Sequence, residues 1–394
     1  MLRQFILWSI LCISPLLLSA QINWKWNMHT GSGYEHNIFN APAFLEDNDT
    51  LQLVSSAAFQ FTKLQISGAY QHQKHQFKWS GKTSYVMFPS EASANVWETR
   101  LDGRYVWKLH PKIQLSLLGQ WRSKKNGGSV DISSDIVVPR SYQQRQHLLK
   151  YQWQPAKCYQ TTLQAYRTHK SYAATAQSEL MYDETGVRLA SIYKHKQKNK
   201  KWAQWEMQAA FYQRQYEQYK WELETEMFYD ELEEEWIEAE EVTDEEITER
   251  LWRYWELGTS YRFYLSPRSR LQISAATQHR IDVWDDRLGY RQMSSAVEWS
   301  LKRKSWSFKW KNSYTYRHFS TVLADVEEDI PLQYHYLRTN LSLAYQLNEK
   351  WTLQTNAGAV KRWSNTNRLD RRSYRSFFNT NLSIGVIYQW SNKK

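Results

Sequence analysis

Lysine and arginine side chains recur at even spacings along much of the chain, so in an extended strand they would share one face. The opposite parity is mostly apolar and predicts the outer face of a sheet. Fourteen basic residues then fall on the inner face: Arg100, Arg104, Lys108, Arg122, Lys150, Arg214, Arg262, Arg270, Arg280, Lys309, Lys311, Arg317, Arg338 and Arg362. Five acidic residues share it: Glu98, Asp102, Glu206, Glu256 and Glu298. Cations between low-dielectric walls attract anions, so this face predicts electrostatic selection of anions.

A second interpretation of the inner face stays open. Some of these charges would pair within the wall, for example Glu98 with the basic neighbours of Arg100, and would then set no selectivity. In either case charge on a lipid-contacting face would cost about 2–4 kcal/mol per Arg or Lys at the membrane midplane, whereas a wet interior tolerates it.

The segment 222–249 has the opposite charge. It contains fifteen Asp and Glu residues and no Lys or Arg, while the rest of the chain after residue 20 has fifty basic residues against twenty-five acidic ones. Its densest part includes Glu231, Glu233, Glu234, Glu235, Glu238, Glu240 and Glu241. Three interpretations stay open for this long acidic extracellular loop: a solvated loop, a plug attracted into a basic interior, or a site for divalent cations or a basic partner.

Period-two alternation predicts the elements that position these side chains. In the C-terminal segment, Phe378, Leu382 and Ile384 occupy one parity, while Asn379 and Ser383 occupy the other. Helical membrane proteins need runs of about 20 apolar residues, and only the first 20 residues come close. Disorder is excluded by the 21 Trp and 26 Tyr.

Short turns and long polar stretches alternate along the chain. Seven short turns, such as those at 110–111 and 266–269, and eight longer stretches, such as 123–140 and 320–333, predict sixteen strands. Both termini then lie on the short-turn side, which would be periplasmic. The apolar parity switches between Ala57 and Tyr70, which indicates a bulge or an extra hairpin, so counts of 14–18 strands stay open.

Aromatic residues cluster beside the turns, as at Trp107, Trp153, Trp306 and Trp351. Amphipathic rings prefer the headgroup level of a membrane. The predicted fold class is therefore all-β, a transmembrane antiparallel β-barrel of about sixteen strands in a bacterial outer membrane. A soluble sandwich or propeller is the alternative.

Residues 1–20 have a basic start at Arg3, an apolar run and a small residue at Ala20, which predicts a secretory signal peptide. Residues 21–394 would form the barrel. Because Cys12 lies in the leader, only Cys158 remains in the processed chain, and a disulfide-stapled fold is excluded.

No metal-binding spacing, phosphate loop or catalytic pair is recognisable, so we expect no cofactor and no enzymatic activity. The isoelectric point near 9.3 would suggest nucleic acid for a cytosolic protein. For a secreted barrel we expect no nucleic acid, and the partners would instead be outer-membrane lipids and lipopolysaccharide, with Arg371, Arg372 and Arg375 as candidate contacts. A homo-oligomer such as a trimer stays open.

The stretch Gly33, Tyr34, Glu35, His36, Asn37, Ile38 and Phe39 resembles the Gly-Tyr-Asp-x-Asn-Val-Phe opening of outer-membrane barrels of the β-barrel porin kind. It also resembles barrel domains of surface-lipoprotein export factors. The match covers seven residues, with Glu35 and Ile38 departing from the pattern. The resemblance implies an outer-membrane location and a porin-like passive channel for small solutes. The alternatives are an export or assembly component for a polymer or lipoprotein, and a surface-binding scaffold barrel.

Overall fold

The computed structural model describes residues 23–38, 55–126, 141–172, 181–197, 201–220, 227–230, 235–238, 247–283, 289–325, 329–365 and 376–392. The predicted leader, residues 1–20, and the candidate lipid contacts Arg371, Arg372 and Arg375 lie outside these residues. Within the described part, no helix is long and apolar enough to cross a membrane.

The described chain is almost entirely β-strand. The strands are β1 (Asn23–His36), β2 (Ala57–His72), β3 (His75–Met87), β4 (Val96–His110), β5 (Ile113–Asn126), β6 (Tyr142–Ala156), β7 (Tyr159–Tyr172), β8 (Tyr182–Lys196), β9 (Trp202–Lys220), β10 (Met227–Asp230), β11 (Glu235–Glu238), β12 (Ile247–Ser266), β13 (Ser269–Asp282), β14 (Tyr290–Lys302), β15 (Trp306–Asp325), β16 (Ile330–Gln346), β17 (Trp351–Ser364) and β18 (Phe377–Ser391).

Sixteen of these strands form one closed antiparallel barrel, in which each strand pairs with its neighbours in the chain. Strands β10 and β11 form a separate two-stranded sheet, so β9 pairs directly with β12. Strand β1 closes the barrel against β18 in an unbroken register from Lys25↔Ser391 to His36↔Thr380. The predicted all-β barrel and its count of sixteen strands are confirmed.

The two rims of the barrel differ as the sequence predicts. Seven short turns lie at one rim, and the start of β1 and the end of β18 meet at the same rim. The longer connections lie at the other rim. One predicted loop is wrong: 320–333 is mostly strand, because β15 runs to Asp325 and β16 begins at Ile330.

The outer face of the barrel is apolar. Large side chains on this face remain exposed, including Leu341 (39%), Leu382 (56%) and Met293 (62%). On β4, Trp97 and Trp107 lie ten residues apart near the two ends of the strand. With a rise of about 3.3 Å per residue and a tilt of about 40°, this separation spans roughly 25 Å, the height of the apolar band of a membrane barrel.

The parity switch in β2 is neither a bulge nor a hairpin. The strand keeps a continuous register with β1 and with β3. Phe59 and Phe61 lie on the inward parity, where their rings occupy the space beside Gly33 and Gly31 of β1. The prediction is wrong because these two aromatic residues fill space over side-chain-free glycines on the inner wall, as aromatic residues do beside glycines in other sheets.

The stretch that carries the family resemblance closes the barrel at the long-loop rim. Asn37 follows β1 with φ of 59°, in the left-handed region that Asn tolerates better than most residues. Its buried side-chain amide donates a hydrogen bond to the carbonyl oxygen of Phe378 at 3.1 Å. These residues therefore end β1 and fix its position against β18.

We expect Gly33→Ala to destabilise the barrel by about 1–3 kcal/mol, the usual cost of overpacking. A Cβ at Gly33 would collide with the carbonyl oxygen of Leu382 and with the Phe59 ring. Gly119→Ala is the matched control, because a Cβ there meets nothing within 4 Å. The measurement is the denaturant midpoint of the heat-modifiable folded form, and equal midpoints for both variants would contradict the packing at this seam.

Candidate functional site: the basic inner wall

The candidate site is the inward face of the strands. The register places all fourteen basic residues predicted for the inner face on the parity opposite to the exposed apolar side chains. Four of them are Lys150, Arg214, Arg280 and Arg362. The other ten are the candidate lining of a passage. They are Arg100, Arg104, Lys108, Arg122, Arg262, Arg270, Lys309, Lys311, Arg317 and Arg338. The strands therefore bring these side chains to one inner surface, and their role in solute passage stays a prediction.

Four of the ten form ion pairs within the wall. Arg122 Nε lies 3.1 Å from Glu98 Oε1, and Arg100 Nε lies 3.0 Å from Asp102 Oδ2. A third carboxylate bridges two strands and pairs with two cations, as Glu298 lies 3.1 Å from Arg270 and 3.0 Å from Lys309. Pairing within the wall thus accounts for part of the predicted charge.

The other six have no carboxylate within ion-pair distance among the described residues: Arg104, Lys108, Arg262, Lys311, Arg317 and Arg338. Arg317 donates two hydrogen bonds to the Gln292 side-chain oxygen, at 3.0 and 2.8 Å. Arg262 donates to Gln272 at 3.0 Å. A neutral amide orients a guanidinium without cancelling its charge, so the inner wall keeps an excess of positive charge.

Near the long-loop rim, cations and tyrosines alternate strand by strand. On eleven consecutive barrel strands, from β5 to β17, one inward side chain per strand is in turn a cation and a tyrosine. We call this arrangement the cation–tyrosine belt. It consists of Arg122, Tyr142, Lys170, Tyr182, Arg214, Tyr254, Arg280, Tyr290, Arg317, Tyr336 and Arg362.

In nine of the ten successive pairs of the belt, the cation lies over the ring of the neighbouring tyrosine. Lys170 Nζ lies 4.3 Å from the ring centre of Tyr142 and 5.9 Å from that of Tyr182. Arg214 Cζ lies 4.3 Å from Tyr182. The remaining distances from cation to ring centre within the belt are 5.5 Å for Arg122–Tyr142, 5.2 Å for Arg214–Tyr254, 4.3 Å for Arg280–Tyr290, 4.4 Å for Arg317–Tyr290, 5.9 Å for Arg317–Tyr336 and 5.2 Å for Arg362–Tyr336. Two rings outside the belt also contact its cations: Trp252 lies 4.3 Å from Arg280, and Tyr334 lies 4.2 Å from Arg362.

This geometry holds the guanidinium groups in place. A cation over an aromatic ring is stabilised by about 0.5–2 kcal/mol. A guanidinium stacked on a ring by its face still presents N–H groups along its edge, and these groups suit carboxylate or phosphate oxygens. The tyrosines are held too: the Gln278 side chain bonds the hydroxyls of Tyr212 and Tyr290 at 2.7 and 2.9 Å. The belt is therefore a set of cations whose positions are fixed by neighbouring rings.

Acidic side chains reach the belt at a few positions. Glu184 accepts a hydrogen bond from Arg214 at 2.7 Å, and the indole N–H of Trp252 donates to Asp282 at 3.1 Å. Five strands remain outside the belt: β18 and β1 to β4. On β18, β1 and β2 the inner wall has Phe59, Phe61 and the Glu35–Asn379 hydrogen bond of 2.9 Å, and on β4 it has the ion-paired Glu98 and Arg100. The belt is thus an arc and does not run round the whole barrel.

The sequence patterns did not reveal the tyrosines of the belt, nor Lys170. The clustering of aromatic residues beside the turns predicts outer girdles only. The signal that could have found the belt is an inward Tyr, Lys or Arg close to the long-loop end of successive strands.

The acidic residues proposed for the long loop are only partly described. Glu235 and Glu238 belong to β11, which pairs with β10, and Glu231, Glu233, Glu234, Glu240 and Glu241 lie outside the described residues. In the part of the chain that the structure covers, no three His, Cys, Asp or Glu side chains come together as a metal-binding group.

The sequence matches no protein-family model and no curated protein. The barrel is similar to OccAB1 of Acinetobacter baumannii, with a TM-score of 0.51, 8% identity, and coverage of 95% of this chain and 99% of that one. OccAB3 of the same organism has a TM-score of 0.49 and 9% identity, with coverage of 94% of this chain and 99% of that one. OprB of Pseudomonas putida has a TM-score of 0.48 and 7% identity, with coverage of 96% of each chain. At such identities the likeness shows the fold alone: the chain has the closed antiparallel barrel of these outer-membrane proteins.

Proposed function

We propose that this barrel is a porin-like, non-enzymatic channel for small solutes and that it favours anions. The observation that carries the proposal is the excess of inward cations. Six of them have no carboxylate partner in the described structure: Arg317 lies in the cation–tyrosine belt, and the other five lie between the belt and the short-turn rim. A sixteen-strand barrel is wide enough for an aqueous passage, and a low-dielectric wall strengthens the field of these charges inside it.

We further propose that the short-turn rim and both termini face the periplasm, that residues 1–20 are removed on secretion, and that the long loops face the outside. The belt then lies at the outer mouth, where an arriving anion would meet it before the unpaired cations nearer the short-turn rim. Lipopolysaccharide is the expected neighbour of this end of the barrel.

An export or assembly component and a surface scaffold are the competing functions. An exporter that releases its cargo sideways needs a weak seam in the wall. Here the seam between β1 and β18 is as continuously paired as the others, which supports a channel with a closed wall. A scaffold barrel would bind through its loops and would not conduct.

The test is the reversal potential of the purified full-length barrel in a planar bilayer under a salt gradient of potassium chloride. We expect open channels with a reversal potential on the anion-selective side. Cation selectivity would overturn the anion preference, and absence of conductance in a correctly folded preparation would favour the scaffold or export function.

Tyr290 tests the belt itself, because its ring lies between Arg280 and Arg317. We expect Tyr290→Leu to lower anion selectivity about twofold, since both arginines lose a ring that fixes them. Tyr290→Phe is the control: it removes the hydroxyl bonded to Gln278 and keeps the ring face. If the two variants have the same selectivity as the unmodified channel, ring stacking does not contribute.

A further inference from the structure

The lipid-facing side of the wall carries cations at one end only. Six Lys and Arg residues lie on the outward parity of the barrel strands, all towards the long-loop end, and we call them the outer cation ring. They are Lys125, Arg145, Arg167, Arg253, Arg291 and Lys361. Among the described strand residues, the outward parity of the short-turn half has no Lys or Arg, and the only outward carboxylate paired with the ring is Asp183.

The ring lies at one edge of the apolar band. Ten residues separate Lys361 from Trp351 at the short-turn end of β17, and ten separate Arg253 from Phe263 on β12. With a rise of about 3.3 Å per residue and a tilt of about 40°, ten residues climb roughly 25 Å, which is the full height of the band. Arg291 lies eight residues from Trp299. The cations therefore lie at the far headgroup level, not at the midplane.

The difference between the two ends needs a cause. Long basic side chains can extend to either headgroup region and are tolerated at both interfaces of an ordinary bilayer. Snorkelling alone would therefore distribute them over both ends of the barrel. A ring confined to one end fits a membrane whose two leaflets differ in headgroup charge.

Most of the ring is not neutralised by the protein. Arg167 Nη2 lies 3.4 Å from Asp183, in a pair whose arginine side chain is 67% exposed. Arg145, Arg253 and Arg291 have no carboxylate within ion-pair distance among the residues described. Arg291 has His279 and His318 as its direct cross-strand neighbours on the same face, so this patch adds no negative charge of its own.

We propose that the outer cation ring binds the phosphate groups of anionic lipids in the leaflet at the long-loop end. Guanidinium groups bind phosphate oxygens in a bidentate manner, and the exposed apolar band directly below the ring contacts the acyl chains of the same lipid. This inference is independent of conduction, because it concerns the opposite side of the wall from the belt.

The experiment uses the refolded full-length barrel in a zwitterionic detergent and native mass spectrometry with added lipid A, a glycolipid with two phosphates. We expect retained lipid A, with about tenfold weaker binding for the triple variant Arg145→Gln, Arg167→Gln, Arg291→Gln. The same three positions changed to Lys should recover most of the binding, because the charge returns.

Two further arms separate the sources of the signal. Dephosphorylated lipid A should bind about tenfold more weakly than lipid A, and inorganic phosphate at millimolar concentration should leave the lipid bound. The control variant Arg268→Gln, Arg303→Gln, Lys304→Gln removes three exposed cations from the short-turn rim and should bind as the unmodified protein does. Equal loss in both triple variants, unchanged binding in the ring variant, or displacement by free phosphate would overturn the proposal.

Discussion

Replacing Lys311, Arg317 and Arg338 together with glutamate is expected to reverse the sign of the channel's reversal potential in a salt gradient. The three side chains lie inward on the adjacent strands β15 and β16, and none has a carboxylate partner in the described part of the chain. The substitution changes the wall charge by six units in one sector. Since the field of these charges is focused by the low-dielectric wall, the preferred ion should change from anion to cation.

Two companion variants make this result specific. The same three positions changed to glutamine should bring the reversal potential close to zero without inverting it. Changing Arg268, Arg303 and Lys304 to glutamate alters the net charge by the same amount, but at the short-turn rim and not on the inner wall. For this variant we expect only a small shift of the reversal potential. If rim and wall variants shift the potential to the same extent, overall charge rather than the inner wall determines selectivity.

The placement of the inward cations could be predicted from the sequence because the side-chain period of a strand is two residues. Once one apolar side chain such as Leu341 is assigned to the outer face, the face of Arg338 follows from counting. The two rims could be predicted from the lengths of the connections, because turns of two to five residues must join strand ends at the same rim.

The partners of those cations could not be predicted in the same way. Arg214 pairs with Glu184 across β8 and β9, thirty residues apart, and Arg122 pairs with Glu98 across β4 and β5. Such contacts depend on the register between strands, which a pattern along one strand does not contain. The inward orientation of Phe61 could not be predicted for a related reason: its ring lies beside Gly31 in the neighbouring strand.

The belt was missed because aromatic residues have two uses in a membrane barrel. A tyrosine suits the headgroup girdle and also suits a wet inner wall, where its ring stacks on a cation and its hydroxyl meets water. Tyr290 and Tyr314 are alike in type and lie on the neighbouring strands β14 and β15, yet one lies inward beside Arg317 and the other lies outward beside His335. Only the parity within each strand separates these two uses.

Leu341→Arg is expected to have the largest effect on stability, because every assignment of the inner wall depends on lipid covering the outer face. Leu341 lies outward on β16, four residues from Tyr345 and six from His335, so it is near the midplane of the apolar band. An arginine there should cost about 2–4 kcal/mol, which lowers the ratio of folded to unfolded protein roughly 30- to 1,000-fold.

Asn340→Arg is the matched control one residue away. Asn340 is exposed on the inward face, opposite Lys311, so its arginine would extend into water and raise anion selectivity at little cost in stability. The measurement is the denaturant-dependent folding of both variants into lipid vesicles, followed by the heat-modifiable gel mobility of the barrel. A larger loss for Asn340→Arg than for Leu341→Arg would mean that the two faces are interchanged, because a single residue step along a strand exchanges the side that touches lipid for the side that touches the solute.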